Sequence, residues 1–130
     1  MNKENPVAWF EIYVDDMERA QKFYETVFET SLEEMKMPES SGPEMRMLSF
    51  PMTMDKTSGA PGALVKMEGM KGGGAGVVIY FGSDDGSVEE SRIEAAGGKI
   101  VQSKLDIGEF GFAVMAIDTE GNMFGIHSMK

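Results

Sequence analysis

Apolar and polar residues alternate along this chain in two rhythms, and each rhythm occurs in both halves. From Ala8 to Val14 the sequence reads Ala-Trp-Phe-Glu-Ile-Tyr-Val, aromatic and β-branched, which predicts a strand. Alternation puts Trp9, Glu11 and Tyr13 on one face and Phe10, Ile12 and Val14 on the other. The period then changes. Met17, Ala20, Phe23, Tyr24, Val27 and Phe28 recur at steps of three and four, which predicts an amphipathic helix with one apolar stripe. Asp15 before it, with Glu18 three residues on, has the spacing of a capping box. Pro38 to Pro43 reads as a turn, Glu44 to Phe50 as a strand, Pro51 to Pro61 as a long irregular loop, and Ala63 to Met67 as another strand.

Gly69 to Gly76, with Gly72-Gly73-Gly74 inside it, is the best linker candidate. After it the pattern restarts. Val77 to Phe81 is an apolar strand, and Asp84 to Ser87 is a turn. Ser87 and Glu90 repeat the capping-box spacing, and a shorter helix runs to about Ala96, where Gly97-Gly98 stops it. Lys99 to Ser103, Phe110 to Ile117 and Met123 to Ser128 read as strands, the last two joined by a turn at Glu120-Gly121-Asn122. The expected class is therefore α+β, a βαβββ arrangement occurring twice within a single domain spanning residues 1–130. Module one covers roughly residues 5–70 and module two roughly 75–130. A ferredoxin-like fold carries fewer strands after each helix and fits less well.

Composition removes several classes of function. The chain of 130 residues is long enough to bury a core without staples. It has no cysteine, so disulfides, iron–sulfur clusters and thiolate zinc sites are excluded and a reducing cytoplasm is the expected location. The start of the sequence lacks the charged-apolar-small order of a leader, and no apolar run is long enough to span a membrane. A net charge of −10 opposes contact with nucleic acid or an anionic membrane. Thirteen methionines suit either an irregular core or an adaptable binding surface. The glycine run precedes a strand rather than a helix and lacks the context of a phosphate loop. No serine sits in a nucleophile elbow.

Trp9-Phe10-Glu11-Ile12, Val14-Asp15-Asp16, the helix and its Phe23-Tyr24 pair resemble the opening of a vicinal oxygen chelate module. Ala95-Ala96-Gly97-Gly98 is similar to the end of the second module's helix. Asp118-Thr119-Glu120-Gly121-Asn122 resembles the Asp-Pro-Asp-Gly-Asn turn before the last strand, with Thr119 and Glu120 departing from that pattern. The resemblance spans nearly the whole chain. It extends to a glyoxalase-like bacterial subgroup through Gly62 to Val65 and Gly125 to Ser128. This superfamily contains glyoxalases, bleomycin-resistance proteins and extradiol dioxygenases. The resemblance implies paired βαβββ modules with curved mixed sheets enclosing a pocket, and a homodimer. Its metal enzymes use a divalent ion to hold two neighbouring substrate oxygens.

Carried over residue by residue, the ligand positions fall on Trp9, on Val77 or Val78, on Gly125, and among Ala63, Leu64, Val65, Lys66 and Met67. None offers the imidazole or oxygen ligand such an ion needs. The expectation is therefore no metal and no cofactor, a divalent ion being compatible only with a non-standard site. Glu11 and His127 each lie two residues beyond a vacated position. They are the candidate catalytic pair, as acid and base or as hydrogen-bonding anchors. The plainer reading is a buried pair satisfying each other, or a histidine facing solvent. Trp9, Tyr13, Met47, Tyr80, Phe112 and Gly125 are the candidate pocket residues, with Met45 beside them, although such an aromatic stripe also describes ordinary core. Lys104 is a candidate contact for an anionic substrate. The expected function is metal-independent binding of a small molecule in the inter-module pocket, as in bleomycin resistance. The alternatives are a glyoxalase-like lyase or isomerase with a Glu/His or non-standard metal site, and a non-enzymatic interaction protein.

Overall fold

A computed structural model describes residues 4–36, 44–53, 59–74 and 76–130. The turn expected at Pro38 to Pro43 and the centre of the loop between Pro51 and Pro61 lie outside the described residues, as does Ala75. The elements run β1 (Val7–Tyr13), α1 (Met17–Phe28), β2 (Glu33–Met35), β3 (Met45–Ser49), β4 (Gly62–Met67), β5 (Val77–Gly82), α2 (Gly86–Ile93), β6 (Lys99–Asp106), β7 (Phe112–Ile117) and β8 (Met123–Ser128). This is the βαβββ order twice, in an α+β fold. The chain forms two compact units. One holds Phe10–Met37 and Gly42–Val77, and the other holds Val78–Lys130 with the start of the chain through Trp9.

In the first unit the strand order is β2-β3-β4-β1. β2 and β4 both run antiparallel to β3, and β1 is parallel to β4, so the sheet is mixed. Helix α1 covers one face. Met17, Ala20 and Tyr24 pack there against Ile12, Val14, Leu32, Leu48, Phe50 and Leu64. The apolar stripe expected along α1 is wider than its buried part, because Phe23, Val27 and Phe28 are more than half exposed. The helix begins one residue later than its sequence suggests. Asp16, not Asp15, is the N-cap, and its carboxylate accepts the Arg19 N–H at 3.0 Å. Asp15 instead accepts the N–H of Gly72 at 3.1 Å, tying the glycine-rich segment to the end of β1. At the other end Glu25 accepts the Leu32 N–H at 2.8 Å. That bond, helped by the Gln21 amide, holds the Glu25 carboxyl below the usual range.

In the second unit the order is β5-β8-β7-β6, with β5 parallel to β8 and the remaining pairs antiparallel. Ile93 of α2 packs on Val114, Ala116 and Ile126. The cap is again an aspartate. Asp85, not Ser87, accepts the Ser87 N–H at 3.0 Å, and Glu90 reaches forward to the Lys104 N–H instead of back to the cap. The helix stops at Ile93, before Ala96, and Gly97 then takes a left-handed backbone at φ 103°. β6 runs three residues longer than its pattern suggests, and β7 starts two residues later. Between them Asp106 accepts the Gly108 N–H at 2.8 Å and starts a short 3-10 turn, Gly108–Phe110, which takes Phe110 out of the strand.

Candidate functional site

The first unit's sheet has a second face, turned away from α1. Direct strand partners share a face, so the register reads off its contents row by row. Glu11 of β1 lies beside Ala63 of β4, Ala63 beside Ser49 of β3, and Ser49 beside Glu33 of β2. In the next row Tyr13 lies beside Val65, Val65 beside Met47, and Met47 beside Met35. The strand basic residues Arg46 and Lys66 partner each other on the opposite face, where Arg46 meets Glu34.

Glu11 and Tyr13 are brought together by the two-residue repeat of β1. The Tyr13 hydroxyl donates to Glu11 Oε1 at 2.8 Å. Both residues are buried, at 7% and 6% exposure. Burial raises the Tyr13 phenol well above its ordinary value, and the negative charge and hydrogen bond of Glu11 raise it further. The phenol therefore stays protonated and a donor to Glu11 across the physiological range. Around this pair Ala63 and Val65 are fully buried, and Met47 and Ser49 nearly so. Sequence reading does not single out Ser49 or Met35, and it names Ala63 and Val65 only among the vacated ligand positions. Strand parity alone does not find them, because partner strands must first be set in register.

His127 has a different partner. Its Nε2 lies 2.6 Å from the Phe110 carbonyl oxygen, which can only accept. The Nε2 therefore carries a proton and donates. The structure thus pairs Glu11 with Tyr13 in one unit and His127 with a backbone carbonyl in the other. Tyr80 and Gly125, direct partners on β5 and β8, share the face of His127. A side chain at Gly125 would run into the Tyr80 ring, so Tyr80 fills the space that glycine leaves open. The same arrangement occurs in the first unit, where the Phe10 ring lies over Gly62, its partner on β4.

Phe112 stands elsewhere. It partners Ser128, and strand alternation sets it on the α2 face, opposite Ala113, Met115, Gly125 and His127. The Lys104 ammonium sits 4.7 Å from the centre of its ring and 2.9 Å from Asp85 Oδ1. Lys104 is thus occupied with the α2 cap and holds the Asp85 carboxyl well below the usual carboxylate range, aided by Ser87. Two surface depressions, one on α1 at Glu18, Gln21, Lys22 and Glu25, the other apolar beneath α2 at Phe81, Ile93 and Phe124, lie on the helix sides of their sheets. Neither contains a residue predicted for the site.

The family described as bleomycin resistance protein-like N-terminal matches residues 7–40. No curated protein matches in sequence. Among solved structures, a methylmalonyl-CoA epimerase of Streptomyces coelicolor (Q60A, in complex with 2-nitronate-propionyl-CoA) is similar at 18% identity and a TM-score of 0.64, covering 97% of this chain and 98% of that one. A hypothetical protein from Bacillus halodurans C-125 aligns at 11% identity and a TM-score of 0.70, with 98% and 96% covered. Methylmalonyl-CoA epimerase from Mycobacterium tuberculosis gives 12% identity and 0.67, with 96% and 88% covered. The fold is that of the vicinal oxygen chelate superfamily.

For a vicinal oxygen chelate fold, the metal positions can now be tested on their surroundings. Gly125 lies beneath the Tyr80 ring. Val78 is buried and apolar, and Val77 is exposed on the other side of its strand. Ala63 and Val65 carry no donor atom, and Lys66 is on the helix side. Trp9 is an indole, which donates but does not ligate. Among the described residues no group of three histidine, aspartate or glutamate side chains gathers. These positions do not fit a divalent ion of the kind the superfamily's enzymes use.

Proposed function

We propose that this protein binds a small molecule without a metal ion and performs no chemistry on it, in the manner of bleomycin-resistance proteins. The observation that supports this most directly is the Glu11–Tyr13 pair. It is a carboxylate held by a phenol, on a sheet face that also carries Ala63, Val65, Met47 and Met35, with Ser49 and Glu33 in the row of Glu11. An apolar surface with a few placed polar groups is how small-molecule sites are commonly built. The ligand that suits it is apolar, with a positive charge or hydrogen-bond donor facing Glu11.

A CoA compound, such as the 2-nitronate-propionyl-CoA in complex with the S. coelicolor epimerase, suits this face less well. The strand basic residues Arg46 and Lys66 are on the other side, and the chain as a whole carries −10. A homodimer in a cytoplasmic setting belongs to the same proposal, and sedimentation at two concentrations tests the dimer.

The test of binding is a thermal-melt screen of apolar amines against matched carboxylates and thioesters, run with and without a chelator. Amines that raise the midpoint in proportion to concentration, unaffected by chelator and weakened at least tenfold by Glu11→Gln, are the expected result. Turnover of an α-keto thiol adduct that depends on added metal overturns the proposal and points to the lyase or isomerase reading.

A further inference from the structure

The methionines are not scattered through the first unit. Met45 of β3 is the direct partner of Met67 of β4. Met67 is in turn bridged to Met70 across a two-residue turn, Glu68-Gly69. Gly69 takes a left-handed backbone at φ 88° there, and the Met70 N–H donates to the Met67 carbonyl at 3.1 Å. Direct antiparallel partners point to the same side, so Met45, Met67 and Met70 form a row across three adjacent chain segments. Neighbouring Cβ atoms in such a row are about 5 Å apart. All three side chains are half-buried, within reach of solvent and not sealed in core. The row lies one step along the sheet from Met47 and Met35, themselves direct partners on the same face. The chain after Met70 is pinned by the Gly72 N–H on Asp15, which fixes the end of the row against the end of β1.

Packing alone accounts for a methionine in an irregular gap. It gives no reason for three neighbouring methionines to stand in register at half-buried positions. Thioether sulfur is a soft, neutral donor that selects Cu(I) over hard cations. Three flexible side chains rooted about 5 Å apart can bring their sulfurs together over the middle one. A chain with no cysteine, one histidine and a net charge of −10 offers a monovalent soft cation few better partners. We propose that Met45, Met67 and Met70 form a thioether site for a single soft monovalent ion, Cu(I), for which Ag(I) is the redox-inert probe. This site is independent of the Glu11–Tyr13 reading and takes a different class of ligand.

The test uses full-length protein carrying 13C-methyl methionine, titrated with Ag(I) in chloride-free buffer and followed by NMR, with Cu(I) competition against a coloured chelator as the second measurement. The expected result is that three methyl resonances shift together and saturate at one equivalent. Thioethers do not titrate with protons, so affinity should stay constant between pH 5 and 8, about the range over which a histidine would change charge. The triple variant Met45→Leu/Met67→Leu/Met70→Leu should bind at least tenfold more weakly, while Met52→Leu, at an exposed methionine, leaves affinity unchanged. Shifts spread over many methionines without saturation overturn the proposal. So does a triple variant that binds as tightly as the parent. If the triple variant does not fold, assignment of the three shifted resonances by single Met→Leu variants decides the matter.

Discussion

At the scale of single residues, the Glu11–Tyr13 hydrogen bond is the feature with the clearest energetic signature. Tyr13→Phe keeps the ring and removes only the donor to a charged acceptor. It should cost about 1.5–3 kcal/mol in urea unfolding, the usual range for hydrogen bonds to ionised groups. The phenol's raised pKa adds a pH signature. A folded-state value above the unfolded one means that its contribution is intact below about pH 10 and is lost as pH rises through the folded value. Ultraviolet titration should therefore show one tyrosine ionising later than an ordinary phenol, and Glu11→Gln should bring that step down by removing the charge. A tyrosine curve that Glu11→Gln leaves unmoved would contradict the pairing. At Gly125 the expectation is overpacking. Gly125→Ala drives a methyl into the Tyr80 ring and should destabilise by about 1–3 kcal/mol, measured by thermal or urea melts.

At the scale of elements, sequence rhythm locates every strand but one among the described residues, because period and burial coincide in most of this fold. β8 has the bounds its alternation predicts, Met123–Ser128. β2 went unread because Glu-Glu-Met has only three residues and no apolar alternation; it exists through its pairing with β3. Both helix starts were misplaced by the same cause. Several oxygen-bearing residues stand side by side at each start, and only tertiary contacts decide which one caps. Asp15 is claimed by Gly72, leaving Asp16, while Asp85 is fixed by Lys104 and Ser87. Asp16→Ala should lower stability by about 1 kcal/mol. For Asp85 the folded pKa lies below the unfolded one, so its stabilisation is complete above about pH 4 and is lost as pH falls further. Asp85→Asn keeps a capping side chain but not the charge. The stability gap between it and the parent should shrink during acid unfolding below that pH, and a constant gap would show that Lys104 contributes nothing to the shift.

At the scale of the whole molecule, the βαβββ repeat and its class were legible because turn residues punctuate each half in the same order. Membership of a site was less so. Tyr13 and Met47 do share the Glu11 face, and Tyr80 and Gly125 share the face of His127, whereas Phe112 faces α2 and serves Lys104. The sequence shows Phe112 as one more aromatic residue, and only its register with Ser128 reveals the side on which it stands. The partner of His127 was equally hidden, since Phe110 supplies a backbone oxygen that no side-chain pattern encodes. No described helix is long and apolar enough to cross a membrane.

The Tyr80–Gly125 packing also constrains how this sequence can change. A carboxylate at position 125 would put an oxygen ligand where metal enzymes of this fold carry one, but the Tyr80 ring occupies the space it needs. Enlarging Gly125 first meets the ring. Shrinking Tyr80 first opens a cavity, at a cost of about 3–5 kcal/mol when a large aromatic side chain is lost from a core. Either order passes through a less stable protein, and neighbours in contact are where mutational effects fail to add. The pair therefore works as a lock: each position fixes what the other can become, and placing a ligand on this strand is steeper than the chemistry of a single substitution suggests.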